Sequence, residues 1–397
     1  MIKRDRLEKQ ITKISKQLIN IRRYLHQNAE VGFELYNTLT YVENELIKNG
    51  LNPIRCGKCG LYVDIGNGNN YLLLRADMDA LPIYEETNLS YKCCNGNMHA
   101  FGHDLHTTML IGAALILKKY EDKLSNKIRL VFQPAEEILS GAKDMIDNGV
   151  VDKINVIGAM MIHNLVNTDR KTGDIYIPIS GIISTSVDYV NIKIIGKGSH
   201  SAMPELSKDP INVSSLIIQS IQQITSKEIS IKNQLIISFG EINAGNSYNV
   251  IPSECNLKLT IRAFDKKIRE YAIKRIKQIC TNIAKAFNCS SKIKIAQSCP
   301  SLIIDEKIKN ATNQLFNKEF KNELILDDDF INGAGSEDFA YFSNVITSIM
   351  INVMSGNKID GYKYPLHNEK VIFDEKVIQS GTLLYAYFAL NIYQYLK

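Results

Sequence analysis

The stretch Ile128-Arg129-Leu130-Val131-Phe132-Gln133-Pro134-Ala135-Glu136-Glu137 runs from a short apolar segment directly into paired glutamates. The apolar half predicts a buried strand. A similar segment at residues 71–75 runs into Ala76-Asp77-Met78-Asp79. Strands of this kind alternate with helical patterns, which predicts an α/β domain with a central, mostly parallel sheet flanked by helices. Because ligands on such sheets collect at the carboxyl ends of strands, the acidic residues after both segments are candidate site residues.

Histidines mark three further places in the chain. His103 lies in Met98-His99-Ala100-Phe101-Gly102-His103-Asp104, while His163 and His367 end or follow apolar segments much later. Taken singly, each would be read as an ordinary surface or core residue. Imidazole and carboxylate together are the ligands of hydrolytic zinc sites, and a second carboxylate can take a proton from metal-bound water. The joint pattern of histidines and paired glutamates therefore predicts a hydrolytic metal site.

The composition excludes several classes of protein. A length of 397 residues predicts two domains, and the 45% hydrophobic and 22% charged content is that of an ordinary globular protein. The net charge of +5 is not concentrated in a basic run with aromatics, so no nucleic-acid partner is expected. No apolar run approaches the roughly 20 residues of a membrane helix, so no membrane partner is expected either.

The cysteines and the start of the chain bear on its location. Eight cysteines in a chain of this length do not form a dense disulfide framework. Cys56 and Cys59 form a CxxC without a second pair, which we interpret as incidental. The charged first residues do not resemble a secretory signal. Reduced thiols and a cytoplasmic location are therefore predicted.

The order of elements predicts one domain inserted into another. The main domain is predicted over 1–182 and 296–397, with helices at 3–27, 38–49, 107–120 and 142–148, and strands at 71–75, 128–132, 156–162 and 347–353. From about residue 181 the pattern becomes β-α-β-β-α-β, which is the order of a ferredoxin-like unit. The inserted α+β domain is predicted over 183–295, with strands at 187–195, 234–240, 254–264 and 291–295 and helices at 210–225 and 266–287.

Essentially the whole chain resembles the zinc-dependent aminoacylase and carboxypeptidase-type amidohydrolases. The similar branch contains indole-acetyl-amino-acid hydrolases, hippurate hydrolases and N-acetyl-diaminopimelate deacetylases. The motifs that carry the resemblance occur in order: Leu25-His26-Gln27-Asn28-Ala29-Glu30-Val31-Gly32-Phe33-Glu34, Arg75-Ala76-Asp77-Met78-Asp79-Ala80-Leu81-Pro82, Phe132-Gln133-Pro134-Ala135-Glu136-Glu137, Gly198-Ser199-His200-Ser201-Ala202-Met203-Pro204, Asn249-Val250-Ile251-Pro252, Gly335-Ser336-Glu337-Asp338-Phe339-Ala340 and Leu366-His367-Asn368.

The resemblance implies a role for individual residues of the main domain. Glu136 matches the general base, and Asp79 matches the acid that orients or supports the metal site. The implied metal ligands are His103, Glu137, His163 and His367. The implied cofactor is a divalent metal, zinc or else manganese or cobalt, as one or two ions.

The resemblance also implies roles for residues of the inserted domain. His200 and Asn249 match residues that reach toward the scissile carbonyl, often from the partner subunit of a dimer. A homodimer through residues 183–295 is therefore expected, with this domain as a lid or dimerisation surface. Arg262 has the planar fork that pairs with a substrate carboxylate, but it is equally well a surface strand residue.

One position departs from the family pattern. The similar branch has a cysteine in place of Phe101, and its thiolate bridges two metal ions, whereas phenylalanine has no ligand atom. In one interpretation a single ion is bound by some of the remaining ligands, and hydrolysis is retained or redirected. In another, the metal pair is lost and the protein is an impaired homologue or one that is reused for a different task. A displaced thiolate from Cys93 or Cys94 is a further, less favoured source of a ligand.

The leading hypothesis is a metal-dependent amidohydrolase that removes the acyl group from a small N-acyl amino acid or a similar amide. A dipeptidase on the same scaffold is the rival among enzymes. A dimeric, non-catalytic binder of small molecules is the rival from another class.

Overall fold

The computed structural model describes residues 1–325 and 335–396. Residues 326–334 and Lys397, which belong to the predicted main domain, lie outside the described residues. The chain divides into two compact units. The first contains Met1–Ile183 and most of the chain after Leu302, and the second contains Ser184–Leu302 with a short piece ending at Ser336.

The elements alternate between helix and strand through most of the described chain. The helices are α1 (Arg4–Gln27), α2 (Tyr36–Lys48), α3 (His103–Lys118), α4 (Gly141–Asp147), α5 (Pro210–Gln223), α6 (Lys266–Ala286), α7 (Glu306–Phe316), α8 (Ala340–Ser343) and α9 (Val377–Asn391). The strands are β1 (Ile54–Cys56), β2 (Gly60–Ile65), β3 (Asn70–Asp77), β4 (Lys127–Gln133), β5 (Asn155–Leu165), β6 (Ile175–Tyr176), β7 (Gly181–Ile182), β8 (Ser186–Ile195), β9 (Ser199–His200), β10 (Leu235–Asn243), β11 (Val250–Ile251), β12 (Glu254–Ala263), β13 (Ser290–Cys299), β14 (Ile303–Ile304), β15 (Leu324–Ile325) and β16 (Ser348–Met354).

The first unit is built on an eight-stranded sheet in the order β1-β2-β4-β3-β5-β16-β6-β15. Its central strands β4, β3, β5 and β16 pair in parallel. Leu72, Leu73 and Leu74 in β3 are all buried, as expected for a strand covered on both faces. Helices α1, α3 and α9 pack on one another, and α3 and α9 contact strands of the sheet. The predicted α/β architecture with a mostly parallel sheet is confirmed.

The parallel pairing brings polar residues to one edge of the sheet. Asp77 lies opposite Gln133 in the register of β3 and β4, so the chain segments that follow both strands leave the sheet at the same level. His163 lies near the end of β5, opposite Asn352 of β16. The carboxyl ends of parallel strands therefore supply most of the candidate residues.

Two predicted element boundaries were wrong at functional residues. Helix α3 begins at His103 and not at residue 107, because His103 and Asp104 are buried together with the apolar residues that follow them. Strand β5 continues to Leu165 because its last residues pair with β16, so His163 lies within the strand and not after it. In both cases polar residues at the end of an element predicted a loop, although they are buried within the helix or strand.

The second unit contains an antiparallel sheet in the order β10-β12-β8-β13. Helices α5 and α6 pack against this sheet, and their apolar residues form one core with Val190, Ile192 and Ile261. Each helix begins at an aspartate whose carboxylate accepts backbone N–H groups of the first turn. This confirms the ferredoxin-like arrangement.

The last strand of this unit is longer than predicted. β13 was expected to end at residue 295, but it continues to Cys299, which pairs with Val187 of β8. The role of the unit as a lid or dimerisation surface stays a prediction. No helix in the described part of the chain is long and apolar enough to cross a membrane.

Two tyrosines on α9 provide a test of how this helix is fixed to the sheet. The Tyr385 hydroxyl donates to Arg75 O at 2.6 Å and accepts from Ile162 N at 2.9 Å, all of them buried. Tyr385→Phe should lower the free energy of unfolding by about 1–3 kcal/mol, since two buried backbone groups lose their partner. Chemical denaturation measures this change.

The control is two residues along the same helix. The buried Tyr387 hydroxyl has no hydrogen-bond partner, so Tyr387→Phe should leave the stability nearly unchanged. Equal losses in the two variants would contradict this account of α9.

Candidate metal centre

The paired glutamates are held by a carboxylate from the neighbouring strand end. Asp79 Oδ1 accepts from Glu136 N at 2.9 Å, and Asp79 Oδ2 accepts from Glu137 N at 3.2 Å. Ala135 just before them has a φ of 55°, so the chain turns sharply after β4. Asp79 thus fixes the backbone of both glutamates, which gives a physical basis for the supporting role predicted for it.

His103 presents an unpaired nitrogen to this corner. Its Nδ1 donates to Asp79 O at 2.8 Å, so in the neutral ring Nδ1 carries the proton and Nε2 is the nitrogen that can offer a lone pair to a metal. Nε2 is buried and has no hydrogen-bond partner. It lies 3.8 Å from Asp77 Oδ2 and 4.0 Å from Glu136 Oε2. This is the arrangement of a histidine prepared to bind a cation.

His103, Glu136 and Glu137 form a group whose ligand atoms lie within 4.8 Å of one another. Glu137 Oε1 is also buried without a hydrogen-bond partner. Unpaired buried polar atoms are rare in folded proteins and require an explanation, such as an ion. One imidazole nitrogen and one carboxylate oxygen, both unpaired and close together, fit a divalent metal such as zinc.

A second histidine on α3 supports the centre without being free to bind metal. His106 Nδ1 donates to Asp77 Oδ1 at 2.6 Å, and His106 Nε2 accepts from Asn164 N at 2.9 Å. Both ring nitrogens are therefore occupied, although His106 and Asp77 lie in a potential ligand group with His103. Sequence reasoning missed both residues, and only the position of Asp77 within a family motif could have indicated it.

A buried arginine neutralises part of the acidic cluster. Arg75 is fully buried and contacts Asp77 Oδ2 at 2.7 Å, Asp338 Oδ1 at 2.9 Å and Glu337 Oε1 at 3.0 Å. Asp338 also accepts from Gln133 Nε2 at 2.7 Å and from Ala142 N at 2.9 Å. The carboxylates in this part of the site are thus already paired, and the group of His103, Glu136 and Glu137 is left for a cation.

His163 and His367 are the other two candidate ligands. His163 Nδ1 donates to Asn164 O at 2.8 Å, which leaves the lone pair on Nε2. His367 is half-exposed, and its Nε2 lies 3.7 Å from Glu137 Oε2. Among the described residues, neither falls in a group of three close ligand atoms.

Phe101 lies among the histidines. Its ring centroid is 5.5 Å from that of His103, 4.6 Å from His163 and 4.5 Å from His367. The residue that departs from the family pattern therefore lies next to all three candidate histidines.

The pKa values reflect an acidic, buried centre. Burial, with the like charges of Glu337 and Glu137, raises the pKa of Glu136 well above its usual range. Burial also raises the pKa of Glu137 to about 7, although His103 opposes this. Burial alone would lower the pKa of His103, but Asp77 and other carboxylates raise it to about 10. Burial and the close carboxylates thus raise the pKa of both glutamates, and the carboxylates raise that of His103, whereas a bound cation would favour the deprotonated form of all three groups.

The substrate-binding candidates lie in the second unit, where two of them are neighbours. His200 on β9 lies opposite Val250 of β11, and Ser201 N donates to Asn249 O at 2.9 Å, so His200 and Asn249 are neighbours. Both side chains are exposed. Arg262 on β12 is half-buried and donates to Ser336 Oγ at 3.4 Å.

The fold and the buried ligand group are those of a metal-dependent hydrolase. A model of the peptidase family M20/M25/M40 matches residues 73–391. The chain belongs to this family. N-acetyl-L-cysteine deacetylase of Bacillus subtilis (strain 168) is 38% identical over 338 residues, which cover 84% of this chain and 79% of the relative. Hippurate hydrolase of Campylobacter jejuni is 35% identical over 389 residues, which cover 95% of this chain and 96% of the relative.

A solved structure supports the same conclusion. The Bacillus subtilis YXEP protein, described as a dinuclear metal binding peptidase from the M20 family, superposes with a TM-score of 0.78 at 27% identity. The likeness covers 97% of this chain and 99% of that one. The resemblance and the enzyme class predicted from the sequence are confirmed, and the chain is a metal-dependent amidohydrolase of this family.

The glycine before α3 provides a test of how His103 is placed. Gly102 has a φ of +86°, and a Cβ there would overlap the buried Asn164 side chain. Gly102→Ala should lower both the melting temperature and the metal affinity. The added methyl group would displace Asn164, whose backbone N–H donates to His106, and would so disturb the first turn of α3, which carries His103. Differential scanning fluorimetry and metal titration measure the two effects.

Gly96 is the matched control. Its φ is +92°, but a Cβ there meets nothing within 4 Å. Gly96→Ala should cost only the roughly 1–2 kcal/mol of the left-handed backbone and leave the metal affinity unchanged. If Gly102→Ala binds metal as well as Gly96→Ala does, this turn does not position His103.

Proposed function

We propose that this chain hydrolyses the amide bond of N-acyl amino acids through a metal-activated water, with Glu136 as general base. The observation that carries the proposal is the pair of unpaired buried atoms, His103 Nε2 and Glu137 Oε1, beside the Glu136 carboxylate. The names of the curated relatives, an N-acetyl-L-cysteine deacetylase and a hippurate hydrolase, support N-acyl amino acids as the substrate class.

The metal ligands are proposed from His103, Glu137, His163 and His367, and the ion is zinc, manganese or cobalt. These imidazoles and the carboxylate suit all three ions. When bound, the metal supplies a Lewis acid for the substrate carbonyl and lowers the pKa of the attacking water.

Glu136 has the geometry of a base with one fixed oxygen. Its Oε1 accepts from Asp338 N at 3.4 Å, while Oε2 faces His103 Nε2 at 4.0 Å. In the proposed reaction the Glu136 carboxylate takes the proton from water and then gives it to the leaving amine nitrogen. Its burial strengthens this role, because a raised pKa brings the carboxylate closer to the basicity that proton transfer needs.

The second unit is proposed to complete the site. His200 and Asn249 would donate hydrogen bonds to the oxygen of the scissile carbonyl as negative charge develops on it. Arg262 would pair with the carboxylate of the amino acid. Because His200 and Asn249 are adjacent and exposed, they can act together on a substrate.

A homodimer and a cytoplasmic location are also part of the proposal. The dimer would form through the second unit and bring His200 of one subunit to the metal centre of the other. The cytoplasmic location rests on the cysteines, eight of them in 397 residues, which are too few for a disulfide framework.

The function is tested on a panel of N-acetyl and N-benzoyl amino acids, with dipeptides included, after loading with zinc, manganese or cobalt. Glu136→Gln should keep the metal but lower kcat about 100- to 10,000-fold, since the amide cannot take a proton. Glu137→Gln, one residue along, should instead lose metal affinity. Metal analysis beside initial rates separates the two effects.

Two results would overturn the proposal. A Glu136→Gln variant with a near-normal rate would remove the general base. Turnover of dipeptides but of no N-acyl amino acid would instead favour a peptidase, and the absence of both metal and turnover would favour a binding protein.

The dimer is tested by mixing two inactive variants. If His200 acts across subunits, a mixed dimer of Glu136→Gln and His200→Ala has one complete site. Random reassortment should then restore about a quarter of the wild-type activity. Each variant alone should remain inactive, and sedimentation velocity should show a dimer throughout.

The same mixture can contradict the proposal. If the dimers exchange subunits, as differently tagged copies would show, and no activity returns, His200 does not act across the interface. An active monomer at micromolar concentration would exclude the dimer altogether.

A further inference from the structure

We propose that this centre holds a single divalent ion, at His103 and Glu137, because Phe101 supplies no ligand atom to join the two halves of the site. The inference deepens the proposed function and rests on it for the presence of a metal. It concerns Phe101, the residue that departs from the family pattern, in a chain whose fold is similar to that of a dinuclear metal binding peptidase.

The candidate ligand atoms fall into two groups. His103, Glu136 and Glu137 lie within 4.8 Å of one another and include two unpaired buried atoms. In the described part of the chain, His163 and His367 belong to no such group. His103, Glu136 and Glu137 therefore form a compact half, and His163 and His367 form a more open half that meets it where His367 Nε2 lies 3.7 Å from Glu137 Oε2.

The Phe101 ring contacts histidines of both halves. The Phe101 ring lies 4.6 Å from the His163 ring and 4.5 Å from the His367 ring, centroid to centroid. It also contacts His103 at 5.5 Å, with the ring planes nearly perpendicular at 77°. An aromatic ring packs well against imidazoles in this way, but it offers no lone pair to a metal.

The charge of a first ion opposes the binding of a second one. Two divalent ions held close together repel each other strongly, and an anionic ligand between them reduces that repulsion. Residue 101 is placed to supply such a ligand but has only carbon atoms in its side chain. A first ion in the compact half then disfavours a second in the open half.

A displaced thiolate does not replace the missing ligand. Cys93 Sγ donates to Asn95 Oδ1 at 3.0 Å, and the side chain packs in a small buried cluster with Ala29 and Ala80. Cys94 is exposed, and its Sγ contacts Lys92 O. Cys93→Ser should therefore leave the metal content unchanged, and a loss of metal in this variant would contradict the inference.

The test counts metal in the full-length chain. After chelation and reloading with cobalt, plasma mass spectrometry should find one equivalent in the wild type and two in Phe101→Cys. A cobalt–sulfur charge-transfer band should appear only in Phe101→Cys, which reports the thiolate as a ligand without any measurement of activity. Phe101→Ala is the control that removes the ring without adding a ligand, and it should stay at one equivalent.

Each other outcome overturns the inference. Two equivalents in the wild type would show that Phe101 does not limit the site. Two equivalents in Phe101→Ala would make the volume of the ring the cause, and one equivalent without a sulfur band in Phe101→Cys would exclude residue 101 as a ligand position.

The inference and the proposed function fail separately. A wild type with two ions that hydrolyses N-acyl amino acids would contradict only the inference. A wild type with one ion that hydrolyses nothing in the panel would contradict only the function.

Discussion

The centre depends on one buried guanidinium. Arg75 lies at the end of β3 and pairs with Asp77 on its own strand and with Glu337 and Asp338, which are more than 260 residues away in the chain. A charge buried without partners is very costly, so these groups are mutually required. Arg75 thereby connects the early strands of the sheet to the last part of the first unit. Tyr385 fixes the backbone of the same residue to α9.

The metal chemistry of the centre depends on carboxylates other than those that Arg75 contacts. Arg75 pairs with Asp77, Glu337 and Asp338, whereas Glu136 and Glu137 are buried near these carboxylates and their pKa values are raised. Asp79 holds both through their backbone N–H groups and fixes the tautomer of His103 through its own carbonyl. The centre is thus preorganised before any cation binds. Preorganisation of this kind lets a metal and a base act without rearrangement of the protein.

Much of this could be predicted from the sequence, for identifiable reasons. The apolar segments before Asp79 and Glu136 indicated buried strands, and parallel pairing brings their ends together. The β-α-β-β-α-β order of the second unit could be predicted because each strand and helix has one apolar face, which packs into the shared core, and one polar face. The start of α3 was not readable, because a helix buried on almost every side shows no polar face.

Other features depend on pairings that no local pattern encodes. His106 has the residue type of a ligand, and only its contacts with Asp77 and Asn164 show that both nitrogens are occupied. The partnership of Arg75 with Asp338 joins distant parts of the chain. The sequence identified Phe101 as a departure from the family pattern, but its place among the three histidines required the structure.

One cation bound at His103 Nε2 and Glu137 is the central prediction for this site. Anomalous X-ray diffraction at the zinc edge, from crystals of the zinc-loaded chain, locates the ion most directly. We expect one strong peak about 2.0–2.2 Å from His103 Nε2 and from a carboxylate oxygen of Glu137. A peak bound only by His163 and His367, or zinc elsewhere on the chain with none at His103, would contradict it.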